Sequence, residues 1–179
     1  MVAVNLPSTI TTPRLTLELI SLDEAARMMS GQHEQRDQRW HPDYPRQDDR
    51  DGASMIRSDG DPWGPRHIAR VVDGVVFGSI GFFGPPAASP DGTDEVEIGF
   101  GLVPDARGRG VATEAVGAVL ALTDALGVRV RASVLPENTP SVRVLAKCGF
   151  TELRGTNEDA HLVMARPLPR VLPTVSADG

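Results

Sequence analysis

"PDARGRGVATEAVGAVLALTDALG", residues 104–127, follows an apolar strand and enters a long helical pattern through two glycines flanked by arginines. Val111, Ala115, Val119, Leu122 and Leu126 recur at helical spacing, and Gly127 supplies the stop. The first amides of a helix have no intrahelical partner and its dipole makes that end locally positive, so the junction reads as an anion socket. Gly108 and Gly110 allow an anion to approach the backbone, while Arg107 and Arg109 add cationic donors. One helix end contributes about 0.3–1 kcal/mol to a nearby charge, so several amides and an arginine must act together on a diphosphate. A tight surface turn is the competing reading.

The type of phosphate ligand is constrained by what the loop lacks. A Walker loop needs a lysine and then Ser or Thr after its second glycine, and "GRGVATEA" has none. A dinucleotide turn is a closer rival, but its third small position is Thr113 here and "PDAR" intervenes after the strand. The acid that should end the next strand would be Glu137, which comes late.

Upstream, "DEVEIGFGLV" puts Val96, Ile98, Phe100 and Leu102 on one strand face and Glu95, Glu97, Gly99 and Gly101 on the other. Alternate glycines weaken a strand, and they mark a bulge or a close approach by a ligand or another backbone. "RLTLELI" alternates like a half-buried strand, and "SLDE" starts a helix over 22–30. The polar stretch 32–64 suggests one helix near 47–58. "RHIARVV", Asp73-Gly74 and "VVFGSIGFF" predict a β-hairpin with a two-residue turn. After the long helix, "VRVRASV" reads as a strand and "NTPSVRVLAKC" as a short helix. A strand opens at Gly149-Phe150 and runs to about 154, and a last one covers about 160–166. The order is a mixed α/β layer structure in which an antiparallel meander feeds a β-α-β unit. One domain is expected over 1–166, with 167–179 an extended or disordered tail.

Composition narrows the classes. A net charge of -6 argues against a nucleic-acid binder. Apolar runs fall short of the roughly 18 residues of a membrane span, and the N-terminus lacks a secretory pattern, so a cytoplasmic protein is expected. Cys148 is the only cysteine, which excludes an internal disulfide, and the four histidines lack metal-ligand spacing. No metal is expected.

Over roughly 9–166 the chain resembles the GNAT superfamily of acetyl-CoA-dependent N-acetyltransferases, particularly the RimJ/RimL-like branch that acetylates ribosomal-protein N-termini. Arg107, Gly110 and Ala112 match the family's Arg/Gln-x-x-Gly-x-Gly/Ala loop. Asn138 through Gly149-Phe150 resembles a second family segment. The resemblance implies a mixed central sheet with a splayed strand pair and flanking helices. It further implies that Leu102 and Val103 bind the pantetheine arm of coenzyme A, that residues 107–112 (Arg107, Gly108, Arg109, Gly110, Val111, Ala112) hold its diphosphate, and that Asn138 reaches the arm. Asn138 is equally a helix cap. Related enzymes also suggest a homodimer.

Acyl transfer to an amine needs a neutral nucleophile, a polarised thioester and a proton for the departing thiolate. Deprotonating an N-terminal amine at neutral pH costs roughly 1 kcal/mol, against about 4.5–5 kcal/mol for lysine. Glu97, on the glycine-bearing face, is the candidate base, with Glu95 as its understudy. Many relatives place a tyrosine acid where this chain has Leu145, and the branch resemblance implies Ser141 in its place. Trp40, Tyr44 and Trp63 either line an acceptor groove with Asp43, Asp48 and Asp49 or anchor a loop. The favoured acceptor is a protein N-terminus. A small amine such as an aminoglycoside or polyamine is the alternative, and a non-catalytic acyl-CoA sensor is a third reading.

Overall fold

Alternating leucines and β-branched residues build the first strands. In the computed structural model, which describes residues 6–169, β1 (Thr9–Thr11) and β2 (Leu15–Leu19) pair antiparallel with Leu15 and Leu17 buried. The expected tail from residue 170 onward lies outside the described residues. Ser21 and Glu24 close a reciprocal capping box that starts α1 (Leu22–Ser30), and Gly31 ends it in a left-handed conformation. Helix α2 is Gln47–Ser54, shorter than the expected 47–58.

Strands β3 (Arg66–Arg70) and β4 (Val76–Phe82) form the predicted hairpin, but the link between them is 71–75 and not a two-residue turn. Arg70 grips Asp73 through two hydrogen bonds of 3.0 and 2.6 Å, which stabilises the wider loop. A short β5 (Ala87–Ala88) pairs with β6 (Asp94–Leu102), and α3 (Val111–Ala125) then crosses to β7 (Arg129–Val134). Helix α4 (Thr139–Lys147) leads into β8 (Glu152–Thr156) and β9 (Leu162–Arg166). The strand expected at Gly149-Phe150 begins later because Phe150 is buried and its N–H is tied to the Leu145 carbonyl at 3.0 Å.

The strand order is β1-β2-β3-β4-β6-β7-β9-β8, with β5 alongside β6. Apart from an isolated parallel bridge between Trp40 and Val76, every pairing among the described residues is antiparallel except β6 with β7, the parallel pair that a helical crossover requires. That pair is in register only at Glu95–Arg129, Val96–Val130 and Glu97–Arg131. Beyond it β6 stays bonded to β4 as far as Leu102, and β7 stays bonded to β9 as far as Val134. The two strands therefore part, and the opening runs from Glu97 toward the N-terminus of α3. Among the described residues, no helix is long and apolar enough to cross a membrane.

Candidate active site

The loop before α3 has the backbone of an anion site. Gly108 and Gly110 both adopt φ 73°, a region that side-chain-bearing residues reach only at a cost. Gly110 is the residue that begins α3, and it has no side chain with which to cap the first amides. Arg107 turns back instead, its Nε donating to the Leu102 carbonyl at 3.0 Å and bracing the strand end.

A latch from the link between β1 and β2 fixes the helix end. The Thr12 hydroxyl at 2.6 Å, the Arg14 N–H at 3.0 Å and Arg14 Nε at 2.5 Å all donate to the Glu114 carboxylate. Burial pushes the Glu114 carboxyl up, but these donors outweigh it and hold the group below its ordinary range. Arg14 Nη1 also donates to the Arg109 carbonyl at 2.9 Å, so one guanidinium ties link, loop and helix together. Beside the loop opens a cavity of about 550 Å³ whose rim includes Arg14, Arg70 and Arg109, with Phe77, Val103 and Val111 beneath.

Of the two residues expected on the pantetheine arm, Leu102 and Val103 are buried and their backbone is partly engaged. The Leu102 carbonyl accepts from Arg107, and the Val103 N–H donates to the Phe77 carbonyl at 2.9 Å. Backbone open toward β7 lies earlier on β6, after Glu97.

The alternate glycines of β6 have a different cause from the one expected. The register with β4 is regular through Gly99 and Gly101, so neither marks a bulge; register shifts fall between Ile68 and Ala69 and between Leu153 and Thr156. A Cβ on Gly99 would stand 3.0 Å from the Phe83 ring, and one on Gly101 would stand 2.2 Å from Arg46 Nη2. Protein side chains fill the space that the sequence leaves for a visitor. Arg46 is held there by Asp49, whose side chain is 0% exposed and also accepts from Ser79 Oγ at 2.5 Å. The sequence pattern gave no sign of Arg46, although "PRQDD" ahead of a helix pairs an arginine with an acid three residues on.

Glu97 lies at the fork, its carboxylate 3.1 Å from Arg131 Nη2. Glu95 is less available: Arg129 Nε and Arg154 Nη1 bind it at 2.6 and 2.8 Å. Burial raises its carboxyl and these two arginines more than reverse the effect, so it stays ionised in a structural network. Asn138 caps α4, its side-chain oxygen accepting from the Ser141 N–H at 3.3 Å, which places both candidates on one helical turn. Leu145 is buried in the core, and burial pushes the Cys148 thiol up, which suits a packing role.

The aromatics divide. Trp40 and Tyr44 are buried and stacked edge to face, so they anchor the 32–64 segment and line no groove. Trp63 packs against Phe82. Sequence spacing missed one cluster: His41, Asp43 and Asp105 bring their ligand atoms within 4.8 Å of one another. His41 Nδ1 accepts the Asp43 N–H at 3.1 Å, which puts the ring proton on Nε2, facing Asp105. That tautomer has no free lone pair for a cation.

The sheet forks beside a helix start that has left-handed glycines and no side-chain cap. A family model described as an acetyltransferase (GNAT) domain matches residues 14–151, and the chain belongs to this family. It is therefore an acyltransferase. Its fold is shared with an acetyltransferase from Agrobacterium tumefaciens (22% identity, TM-score 0.62, 90% of this chain and 95% of that one). It is shared also with a ribosomal-protein-S5-alanine acetyltransferase from Vibrio fischeri (15%, 0.61, 93% and 100%). A third is Mycobacterium smegmatis RimJ solved with CoA-disulfide (22%, 0.59, 89% and 87%). A search of curated proteins finds no match.

Proposed function

We propose that this chain transfers the acetyl group of acetyl-CoA to a primary amine, with a protein N-terminal α-amine as the favoured acceptor. The observation that carries the reading is the divergence of β6 from β7 after Glu97, aimed at the Gly108–Gly110 loop. A coenzyme A diphosphate fits that loop: left-handed glycines, an uncapped helix end and Arg109 beside a cavity of about 550 Å³ with cationic rim and apolar floor. When bound, acetyl-CoA supplies the activated thioester. The likeness to ribosomal-protein acetyltransferases supports the acceptor choice.

We assign the following roles; the loop geometry and the fork support those of residues 107–112 and Glu97, and the family resemblance supports those of Asn138 and Ser141. Val111 and Ala112 offer the first amides of α3 to the diphosphate, joined by the Arg109 guanidinium, while Gly108 and Gly110 give access. Arg107 shapes the loop from behind. Leu102 and Val103 set the direction of the strand along which the pantetheine arm runs, and Asn138 meets the arm from across the fork. Glu97 accepts the amine's proton, directly or through water, and Ser141 gives one to the thiolate. The domain spans 1–166 in this proposal. Leu145 favours a second reading, an acyl-CoA sensor, because a buried leucine replaces the usual acid.

Calorimetric titration with coenzyme A, followed by mass spectrometry of a peptide incubated with acetyl-CoA, tests the proposal. Saturable heat and an acetyl group on the α-nitrogen are expected. Binding with no transfer to any amine would favour the sensor, and absence of binding would remove the proposal altogether.

A further inference from the structure

We infer that Arg46 is a fixed anion reader for the acceptor: it favours amines that carry a carboxylate within a residue or two of the reacting nitrogen. The inference rests on the acetyl-transfer reading and names the substrate class that this site prefers.

Arg46 is immobilised. Its Nε and Nη2 donate to the two oxygens of Asp49 at 2.9 and 2.8 Å, and its backbone N–H donates to the same carboxylate at 2.8 Å. Ser79 Oγ completes the shell. A carboxylate buried this fully is tolerated only when paired, so the guanidinium cannot leave without stranding it.

Its seat is specific. Ser79 and Gly101 are register partners, so their side-chain directions share one sheet face, and the guanidinium lies over this pair. A Cβ at position 101 would meet Nη2 at 2.2 Å and Nη1 at 2.6 Å. Strand alternation puts Glu97 on the same face, roughly 13 Å along β6 at about 3.3 Å per residue. Between them the Phe83 ring, 56% exposed, covers Gly99.

One edge of the fork is only loosely engaged. Nη1 has no hydrogen-bond partner among the described residues and makes a long ion pair with the exposed Asp48, whose Oδ2 stands 3.9 Å away and can be displaced by a ligand carboxylate. The side chain keeps 18% of its surface open. A preorganised guanidinium edge binds carboxylates in a fixed geometry. An extended peptide with its amine at Glu97 brings an acidic side chain at its second or third position within reach of Nη1.

The experiment compares kcat/KM for peptides differing only in Glu-Glu or Lys-Lys at positions two and three, with spermidine as a third acceptor, by coenzyme A release and mass spectrometry. The unaltered protein should favour the acidic peptide at least tenfold. Arg46→Gln should bring the ratio near one by losing rate on the acidic peptide alone, with coenzyme A affinity unchanged; Arg46→Lys should keep an intermediate ratio. Because Arg46→Gln strands Asp49, the pair Arg46→Gln with Asp49→Asn removes both charges and should behave alike while folded. Gly101→Ala, which keeps every charge, should also lower the ratio by displacing the guanidinium. An acidic preference that survives the double variant, or a preference of the unaltered protein for Lys-Lys or spermidine, would overturn the role of Arg46 while leaving acetyl transfer standing. Absence of coenzyme A binding would remove the underlying reading as well.

Discussion

Glu97 and Arg131 are the last residues of β6 and β7 to face each other before the strands part, and their side chains meet at 3.1 Å. Arg131 is 44% exposed, and an ion pair so open to water is worth about 0–1 kcal/mol, so an arriving amine can displace it. Glu95, two residues back, is pinned by two guanidiniums and lacks this freedom. Glu97→Gln is therefore expected to lower kcat by roughly 10²–10⁴-fold, the usual size of a general-base contribution, without weakening coenzyme A binding. Arg131→Gln should change kcat less than tenfold. Steady-state kinetics with calorimetry checks both, and an undiminished rate in Glu97→Gln would take that residue out of the chemistry.

The Glu114 latch predicts an effect on binding without one on turnover. Thr12 and Arg14 reach it from the link between β1 and β2, and the same arginine holds the Arg109 carbonyl. Glu114→Ala leaves these donors without their acceptor and frees the loop to move. Charged hydrogen bonds contribute about 1.5–3 kcal/mol, so coenzyme A should bind roughly tenfold or more weakly. With cofactor saturating, kcat should return to that of the unaltered protein. A titration series of acetyl-CoA separates the two parameters.

Chemically identical changes at two glycines should have opposite signs. A Cβ at Gly108 meets no atom within 4 Å, so Gly108→Ala costs only the strain of φ 73°, about 1–2 kcal/mol. Gly117 lies inside α3 with equally open space, and Gly117→Ala should stabilise by about 0.8–1 kcal/mol through helix propensity. Thermal melting of the two variants gives the comparison directly.

These contrasts show what a sequence pattern carries. The helix after Gly110, its glycine loop and the strand before it were legible because local rules suffice: a 3.6-residue apolar stripe, a missing cap and alternation; the fork of that strand from its neighbour was implied only by the family resemblance. Gly99 and Gly101 were legible as gaps, but a gap does not name its occupant. That depends on how the chain ahead of α2 lies over β6, because Arg46, its N-cap residue, is 55 positions from Gly101 in the chain. Trp40 and Tyr44 went the same way: aromatics in a polar stretch can face a ligand or plug a core, and only the packing of α1 against α2 and β4 decides. His41, Asp43 and Asp105 form a cluster that no spacing rule finds, because Asp105 comes from the turn Pro104–Ala106 after β6, far along the chain from the other two.

Acid stability should report a buried network away from the fork. His67, 1% exposed, has Nδ1 2.8 Å from the Tyr44 hydroxyl and Nε2 3.5 Å from the Glu24 carboxylate. Burial holds the Tyr44 hydroxyl well above its ordinary range, so it stays protonated and donates to Nδ1, leaving the ring's other N–H toward Glu24. That neighbour, together with donors from Ser21, lowers the Glu24 carboxyl from 4.5 to about 2 against the opposing effect of burial. Between those two values the folded chain binds fewer protons than the unfolded chain, so stability falls as pH drops through the window and is complete above it. Solvent screening of a half-buried carboxylate reduces the loss to about 1–2 kcal/mol. Glu24→Gln keeps an oxygen to accept the Ser21 N–H and so preserves the start of α1, but it has no charge to lose. Denaturant melts at several pH values should show the two proteins separated in midpoint above pH 4.5 and converging toward pH 2; parallel profiles would mean that Glu24 titrates as it does in the unfolded chain.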